Sequence, residues 1–222
     1  MHIPDGYLSP QTYAPLWGVM IPIWAWASAV LKKTLGSRRV PILAMASAFS
    51  FVIMMFNVPV VGGTTGHATG APLASVLLGP WGATLAISIA LIIQALLFGD
   101  GGITAIGANC FNMAFAIPIV SYIVYKAISG RSDKRSKLRW IGAGVGGYIG
   151  LNVAALLAAI EFGIQPSIAH TADGKPLYCP YGLSVAIPAM MIWHLAVFGI
   201  IEAVVTALVV AYIQRIDPDL LA

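Results

Sequence analysis

The first two residues, Met1 and His2, bring several nitrogen donors together at one end of the chain. The terminal amine of Met1, the backbone nitrogen of His2 and the nearer imidazole nitrogen of His2 can all point at one ion. They would close a five-membered and a six-membered chelate ring around it. Three nitrogens joined in this order favour a flat arrangement, which suits Ni(II) and Cu(II). One corner of that square stays open, and a second histidine from elsewhere in the chain could fill it.

The residues that follow the chelate predict a fixed terminus. The chain opens MHIPDGYLSP. Pro4 fixes its own φ and restricts the residue before it, and Asp5 with Gly6 is a turn signal. Met1 is expected to be retained, because methionine is removed when residue 2 is small and His2 is large. The alternative is a frayed and solvated end, which is common among chain termini.

The composition is that of a membrane protein. Of the 222 residues, 59% are hydrophobic and only 9% are charged, whereas soluble domains average about 25% charged. Apolar stretches of this length predict transmembrane helices. We therefore expect an all-α, polytopic membrane helix bundle that forms a single domain over residues 1–222. The apolar segments run over residues 13–31, 40–57, 67–79, 82–98, 103–128, 139–162 and 183–214.

The positions of the basic residues predict how the chain crosses the membrane. Lysine and arginine gather at 32–39 and again at 126–139, and cytoplasmic loops carry such an excess. An even number of crossings must separate two clusters on the same side. The segment 67–79 must therefore cross, although a spanning helix usually has about 20 residues. The result is seven transmembrane helices in the cell (inner) membrane, with the N-terminus outside and the C-terminus inside.

A glycine- and threonine-rich loop, VPVVGGTTGHATGAP, carries His67 on the same membrane face as the N-terminus. Non-helical backbone at membrane depth is tolerated only where it is buried in protein or lines a polar cavity. Ionisable residues in such places are functional candidates, so His67 is a candidate for the fourth nitrogen. Thr64 and Thr65 are candidates to cap the following helix or to hold a ligand. The alternative for His67 is an interior histidine with a purely structural role.

Six stretches of the chain resemble one family of membrane proteins. They are MHIPDGYLSP, GGTTGHATGA, LLGPWGA, QALLFGDGGITAIGANCFNMA, IEFGIQP and HLAVFGIIEAVVT. In this order, and over nearly the whole chain, they are similar to CbiM/NikM proteins. These are the substrate-binding (S) components of energy-coupling-factor transporters for cobalt and nickel.

The resemblance implies a seven-helix bundle with the amino terminus tucked into it. It also implies a near-planar four-nitrogen metal site made by the Met1 amine, the amide and imidazole nitrogens of His2, and His67. The ion, Ni(II) or Co(II), would be a transported substrate, and no organic cofactor is implied. The implied partners are an energy-coupling transmembrane protein, ABC-type ATPases and, as an option, a small accessory membrane subunit.

Other polar residues lie in or beside the apolar segments. Asp100 could accept a hydrogen bond from a ligand histidine, as carboxylates often do beside metals, or cap the next helix. Asn109 is a further candidate to support the ligands, although Asn109 and Asn112 share one helical face and favour hydrogen bonds between helices. His194 and Glu202 lie on one face of the last segment. We expect them to form a buried structural polar pair, with a role in ion passage as the alternative.

Two further ionisable residues and two cysteines lie outside the predicted metal site. Glu161, at the end of segment 139–162, could attract cations or sit at the membrane interface, and His170 is expected to be solvated. Cys110 and Cys179 could form a bridge outside the cell, but the sequence does not give the Cα spacing that a disulfide requires.

The motifs that the sequence lacks argue against ATP hydrolysis or proton relay by the chain itself. The sequence has no GxxxxGK[ST] phosphate loop and no run of intramembrane carboxylates that would relay protons. We therefore expect a transporter subunit rather than an enzyme, with ATP hydrolysed by partners, with membrane lipid around it and with no nucleic-acid partner. Two alternatives stay open, a membrane metalloenzyme and a self-sufficient divalent-metal carrier. Acid should weaken metal binding, because the amine and both imidazoles must lose protons to bind.

Overall fold

A computed structural model describes residues 1–34, 36, 39–60 and 64–221 of the chain. Some of the sequence-based predictions concern residues outside this set. They are Arg38 in the first basic cluster, residues 61–63 of the glycine-rich loop and the C-terminal Ala222. Thr64 is described only by its backbone, so the role predicted for its side chain also lies outside the described part.

Helices dominate the described chain and make up 75% of its residues. Of these helices, five are long and apolar enough to cross a membrane, and α2, with 16 residues, is shorter. The all-α class and the multi-pass membrane character are therefore confirmed. The helices are α1 (Pro10–Thr34), α2 (Val40–Met55), α3 (Ala71–Phe98), α4 (Ile106–Ser129), α5 (Leu138–Ile168) and α6 (Leu183–Ile216), and a 3-10 turn, Pro218–Leu220, follows α6.

Helix α3 is broken near its first third. Gly79 has φ 72° and ψ 167°, which is not helical, and Pro80 disfavours helical backbone at the residue before it. The arms on either side of the break correspond to the predicted segments 67–79 and 82–98. The first arm packs through Leu73 and Val76 in a cluster with residues of α4, α5 and α6. The second arm lies along α1, where the Trp24 indole donates to the Ser88 hydroxyl.

A short β-hairpin precedes α3 and was not expected in an all-α protein. Strand β1 (Val58–Val60) pairs antiparallel with β2 (Thr64–Gly66), and Val58 lies opposite Gly66. The chain then enters the bundle, so that His67 and Thr69 are almost fully buried. A side chain at Gly66 would collide with the Phe198 ring of α6. The absence of a side chain at Gly66 therefore lets the hairpin approach α6 closely.

Three helices change locally to π-helical geometry in the described chain. The turns are Gln94–Phe98 in α3, Cys110–Ala116 in α4 and His194–Phe198 in α6. A π-helical turn carries an extra residue and is often found at functional sites. Here Gln94 contacts the N-terminal segment and Phe198 contacts the hairpin. The irregular turns of α3 and α6 therefore surround the same interior region.

Candidate metal-binding site

The N-terminus is buried in the bundle. Met1 is 2% exposed, His2 6% and Ile3 0%, and Met1 and Ile3 belong to the main hydrophobic core. Asn109 of α4 holds this segment at both backbone groups of Ile3. Its Oδ1 accepts from the Ile3 N–H at 2.8 Å, and its Nδ2 donates to the Ile3 carbonyl at 3.1 Å. The prediction of a fixed rather than frayed terminus is confirmed.

Asp5 is a second anchor of the terminus, although its sequence context predicted only a turn. Its carboxylate accepts from the backbone N–H groups of Ile103 and Thr104, at 3.0 and 2.9 Å, and from the Thr104 hydroxyl. The hydrogen bond from Thr104 holds the pKa of Asp5 below its ordinary value. Gly6, with φ 81°, then makes the predicted turn. The terminus is thus tied to the loop between α3 and α4.

Within the described part of the chain, two of the three His2 nitrogens carry no hydrogen bond. The Nε2 atom lies 3.2 Å from Gln94 Oε1, which accepts when Nε2 carries the proton. The Nδ1 atom lies 3.3 Å from Asp100 Oδ1 without hydrogen-bond geometry. Within the described residues, the backbone N–H of His2 donates no hydrogen bond either. The distal ring nitrogen is therefore held by Gln94, while Nδ1 and the amide nitrogen have no hydrogen bond among the described residues.

His67 lies directly against His2. The two imidazole rings are stacked, with centroids 4.7 Å apart and an angle of 24° between their planes. His67 Nδ1 is 3.1 Å from the Ala68 carbonyl and donates to it, so Nε2 carries the lone pair. That Nε2 atom is buried and has no hydrogen-bond partner among the described residues. The Met1 amine donates to the Thr65 carbonyl of the same loop and lies 3.3 Å from the Thr65 hydroxyl.

Burial keeps these nitrogens in their neutral, metal-binding form. It lowers the pKa of the Met1 amine to about 4, although the Asp100 charge opposes the shift. It lowers the pKa of His2 to about 3, with the neighbouring amine acting in the same direction. The pKa of His67 is also well below its ordinary value because of burial and the nearby amine. Asp100 has a raised pKa, chiefly from its own burial.

Glu202 of α6 holds the His67 loop in place. Its carboxylate accepts from the backbone N–H and the hydroxyl of Thr69, and from the Gly70 N–H at 3.2 Å. The N–H groups at the start of a helix lack acceptors within the helix. Here the Glu202 carboxylate, from another helix, accepts their hydrogen bonds. Because Thr69 and Gly70 directly follow His67, Glu202 also fixes where the imidazole sits.

His194 and Glu202 were expected to form a polar pair, but no hydrogen bond joins them. His194 Nδ1 donates to the Met190 carbonyl at 2.7 Å, and its ring lies tilted beside Phe198. Glu202 is engaged with the loop before α3 instead. Eight residues along an α-helix share a face, but the π-helical turn His194–Phe198 lies between them and alters that spacing.

The other predicted polar residues make no hydrogen bond to His2 or His67 within the described chain. Asn112 donates to Glu161 at 2.8 Å between α4 and α5, as expected of an interhelical hydrogen bond, and Glu161 is buried. His170 is exposed, as predicted. Cys110 and Cys179 are free thiols, so the suggested bridge between them is absent.

The donor set at this site is unusual, because much of it is main chain. Across the described residues, no group of three or more His, Cys, Asp or Glu side chains is placed to hold a metal ion. The structure brings together Met1, His2 and His67, with Thr65, Asp100 and Asn109 beside them. Gln94 was missed by sequence reasoning, and only its position next to the FGDGG turn could have suggested it.

Gln94→Leu is expected to weaken nickel binding about 10- to 100-fold, the usual cost of losing a residue that orients a ligand histidine. The variant removes the acceptor that keeps the proton on His2 Nε2 and the lone pair on Nδ1. Gln94→Glu, which retains an acceptor oxygen, is the matched control and should bind within a few fold of the wild-type protein. Titration with Ni(II) in detergent measures both. Equal affinities for the Leu and Glu variants would contradict this role of Gln94.

The fold and the site together define a polytopic helical membrane protein that buries its own amino terminus beside two stacked histidines. The chain belongs to the CbiM family, described as "Cobalt uptake substrate-specific transmembrane region", whose pattern matches residues 2–220. The family expected from the sequence motifs is therefore confirmed.

Relatives and a solved structure support this membership. The chain is 54% identical to the fused nickel transport protein NikMN of Rhodobacter capsulatus over 100% of its own length, but spans only 64% of that longer relative. It is 51% identical to a protein of Methanocaldococcus jannaschii named for metal transport, over 99% of this chain and 94% of the relative. A crystal structure of a transition metal transporter superposes with a TM-score of 0.93 and 54% identity, covering 99% of this chain and 95% of the other.

Proposed function

We propose that this chain is a high-affinity binding subunit for Ni(II) or Co(II) uptake across the cell membrane. The observation that carries the proposal is the buried Met1 amine beside the stacked rings of His2 and His67. Burial keeps this amine neutral, and the hydrogen bond that it donates to the Thr65 carbonyl leaves its lone pair available for a metal ion. The names of the nickel and transition-metal transporters that resemble this chain agree with the proposal.

The proposed ligands are four nitrogens in a nearly planar arrangement. They are the Met1 amine, the amide and Nδ1 nitrogens of His2, and Nε2 of His67. Hydrogen bonds on the opposite ring atoms, from His2 to Gln94 and from His67 to Ala68, support this choice of nitrogens. Asp100, 3.3 Å from His2 Nδ1, would add negative charge beside the cation. Planar nitrogen ligation favours Ni(II), accepts Co(II) less readily and suits tetrahedral Zn(II) poorly.

The proposed topology has seven crossings, with the N-terminus outside and the C-terminus inside. Support comes from the break at Gly79, which divides α3 into two arms. Trp17 at the start of α1 contacts Thr104 after α3, and Leu31 at the end of α1 approaches Gly82 just after the break. The second arm therefore runs antiparallel to α1. The basic residues after α1 and between α4 and α5 would then lie on the cytoplasmic side.

Transport would depend on partner subunits. The chain has no phosphate-binding loop of its own, and it covers only part of the fused nickel transport relative. We infer that an energy-coupling transmembrane protein and ABC-type ATPases drive release of the ion to the inside. Uptake by cells that express this chain alone, at the rate of cells expressing all subunits, would contradict this dependence.

The spectrum of the nickel-loaded protein tests the proposed site directly. Planar four-nitrogen ligation predicts a diamagnetic, yellow-orange Ni(II) form, because square-planar geometry pairs the electrons of this ion. Absorption and magnetic susceptibility of the purified protein, loaded with one equivalent of Ni(II), measure both properties. A paramagnetic, pale green form would indicate octahedral ligation and would overturn the proposed four-coordinate planar site.

The pH dependence of nickel affinity is expected to be shallow. The amine and both imidazoles must be neutral to bind, and their lowered pKa values mean that they are already neutral near neutral pH. Only the His2 amide must then release a proton, so affinity should fall about tenfold per pH unit between about pH 8 and pH 5. Below that range the amine begins to take up protons and the fall becomes steeper. Competition titrations measure the slope.

A slope of two or more decades per unit between about pH 8 and pH 6 would contradict this expectation. It would indicate that the amine titrates near its ordinary pKa of 8.0, as in an exposed terminus. Acid should therefore still weaken metal binding, as the ligand types alone predict. Because burial lowers their pKa values, the amine and imidazoles should add to this loss of affinity only at a lower pH.

A further inference from the structure

A basic cavity lies at the end of the bundle opposite the buried N-terminus. It has a volume of about 390 Å³ and lies between the start of α5 and the end of α6. The far end of α5 reaches the N-terminal segment, where Gln165 accepts from the Ser9 N–H. The cavity is therefore separated from His2 and His67 by nearly the length of α5. Its lining residues are Arg135, Lys137, Trp140, Ala211, Gln214 and Arg215.

Among the described residues, the three cations of this cavity form no ion pair. Lys134, just outside the cavity, pairs with Asp219. Within the described part of the chain, no carboxylate lies within ion-pair distance of Arg135, Lys137 or Arg215. Like charges held together in this way repel one another, so an anion that enters the cavity would be attracted by all three.

Gln214 fixes the shape of the cavity. Its Nε2 donates to the backbone carbonyls of Lys134 at 2.7 Å and Ser136 at 2.9 Å. These bonds attach the loop that carries Arg135 and Lys137 to the last turns of α6. The three cations are thus presented by a defined pocket, and not by a free terminal tail.

An apolar groove continues from the cavity along the same two helices. It has a volume of about 380 Å³ and is lined by residues of α5 from Trp140 to Tyr148 and of α6 from Ile200 to Ala207. Trp140 lines both the cavity and the groove, and Ala207 lies one helical turn from Ala211 of the cavity. The groove runs within the apolar, membrane-spanning part of both helices.

We propose that the cavity and the groove together bind one anionic phospholipid. The phosphate would contact Arg135, Lys137 and Arg215, and an acyl chain would lie in the groove between α5 and α6. Basic pockets at the ends of transmembrane helices suit lipid phosphates, and tryptophan such as Trp140 favours the headgroup level of a membrane. An acidic protein segment would use the cations but has no reason to enter an apolar groove at membrane depth. The site is independent of the metal site.

Native mass spectrometry of the full-length protein tests the site with phosphatidylglycerol and phosphatidylcholine of identical acyl chains. The wild-type protein should retain phosphatidylglycerol at least about tenfold better. The triple variant R135Q/K137Q/R215Q should lose this preference. The matched control K32Q/K33Q/R131Q removes three cations outside the cavity and should keep it. Equal loss in both triple variants would indicate general surface charge and would overturn the proposal.

The groove is tested separately. Ala207→Leu fills it beside Gly144 and should lower phosphatidylglycerol retention while leaving glycerol phosphate binding to the cavity unchanged. Val204→Ala, on the same face, adds no volume and should not lower retention. If inorganic phosphate or glycerol phosphate binds as tightly as the lipid, the ligand is a free anion and the lipid proposal fails. It fails equally if an acidic peptide displaces phosphatidylglycerol from the wild-type protein but Ala207→Leu has no effect.

Discussion

Adding two residues before Met1 is expected to lower nickel affinity at least about a thousandfold, which corresponds to about 4 kcal/mol. The addition converts the Met1 amine into a peptide amide and moves the new amine out of reach of His2. Met1 is only 2% exposed and its amine contacts the Thr65 carbonyl, so the surrounding chain leaves little space for an extension. Isothermal titration or competition with a chelator of known affinity measures the loss.

The design adds two residues, because one residue would place the histidine third in the chain. There an amine, two amides and one imidazole could chelate Ni(II) without His67. The matched control adds the same two residues after the C-terminus and should bind as the wild-type protein does. Thermal unfolding without metal checks that the bundle is intact. An extended protein that is folded and still binds nickel within about threefold of the wild type would show that the amine is not a ligand.

His67→Ala is expected to weaken nickel binding about 100- to 1,000-fold, because the ion loses its fourth nitrogen. The loop should stay in place, since Glu202 holds Thr69 and Gly70 independently of the imidazole. The main structural loss is the hydrogen bond from His67 to the Ala68 carbonyl, which contributes about 1 kcal/mol. The same titration as for the extended protein measures the effect.

His170→Ala is the matched control, because His170 is exposed and lies outside the site. It should leave both affinity and spectrum unchanged. His67→Gly in the presence of added imidazole offers a second test, since free imidazole could occupy the space and supply the missing nitrogen. A His67→Ala protein with unchanged affinity and an unchanged planar spectrum would remove His67 from the ligand set.

The sequence was sufficient to predict the class of fold. It was also sufficient to predict that the N-terminal Met1-His2 and the loop with His67 meet. Composition predicted the multi-pass bundle, and the ends of the helices fell within a few residues of the apolar segments in most cases. Met1, His2 and His67 could be singled out because their chemistry is local. A terminal amine next to a histidine is a chelate in any fold, and a histidine in a glycine-rich loop among apolar segments is conspicuous.

The supporting contacts could not be predicted, because they join residues far apart in the chain. Gln94 meets His2 across 92 positions, and Glu202 meets Thr69 across 133. The sequence suggested Asp100 as the acceptor for a ligand histidine, whereas Gln94 holds the distal nitrogen of His2. The sequence also suggested that His194 would pair with Glu202. That pairing was inferred from regular helical periodicity, which does not reveal the π-helical turn between the two residues.

The sequence by itself determined which nitrogens this protein has to offer and that helices in a membrane would surround them. Only the tertiary structure decided that the terminus is buried, that the two imidazoles stack and which nitrogen of each ring remains without a partner. The physical reason is that donor chemistry belongs to single residues. Burial, ring orientation and the position of a proton depend on neighbours that folding alone brings together.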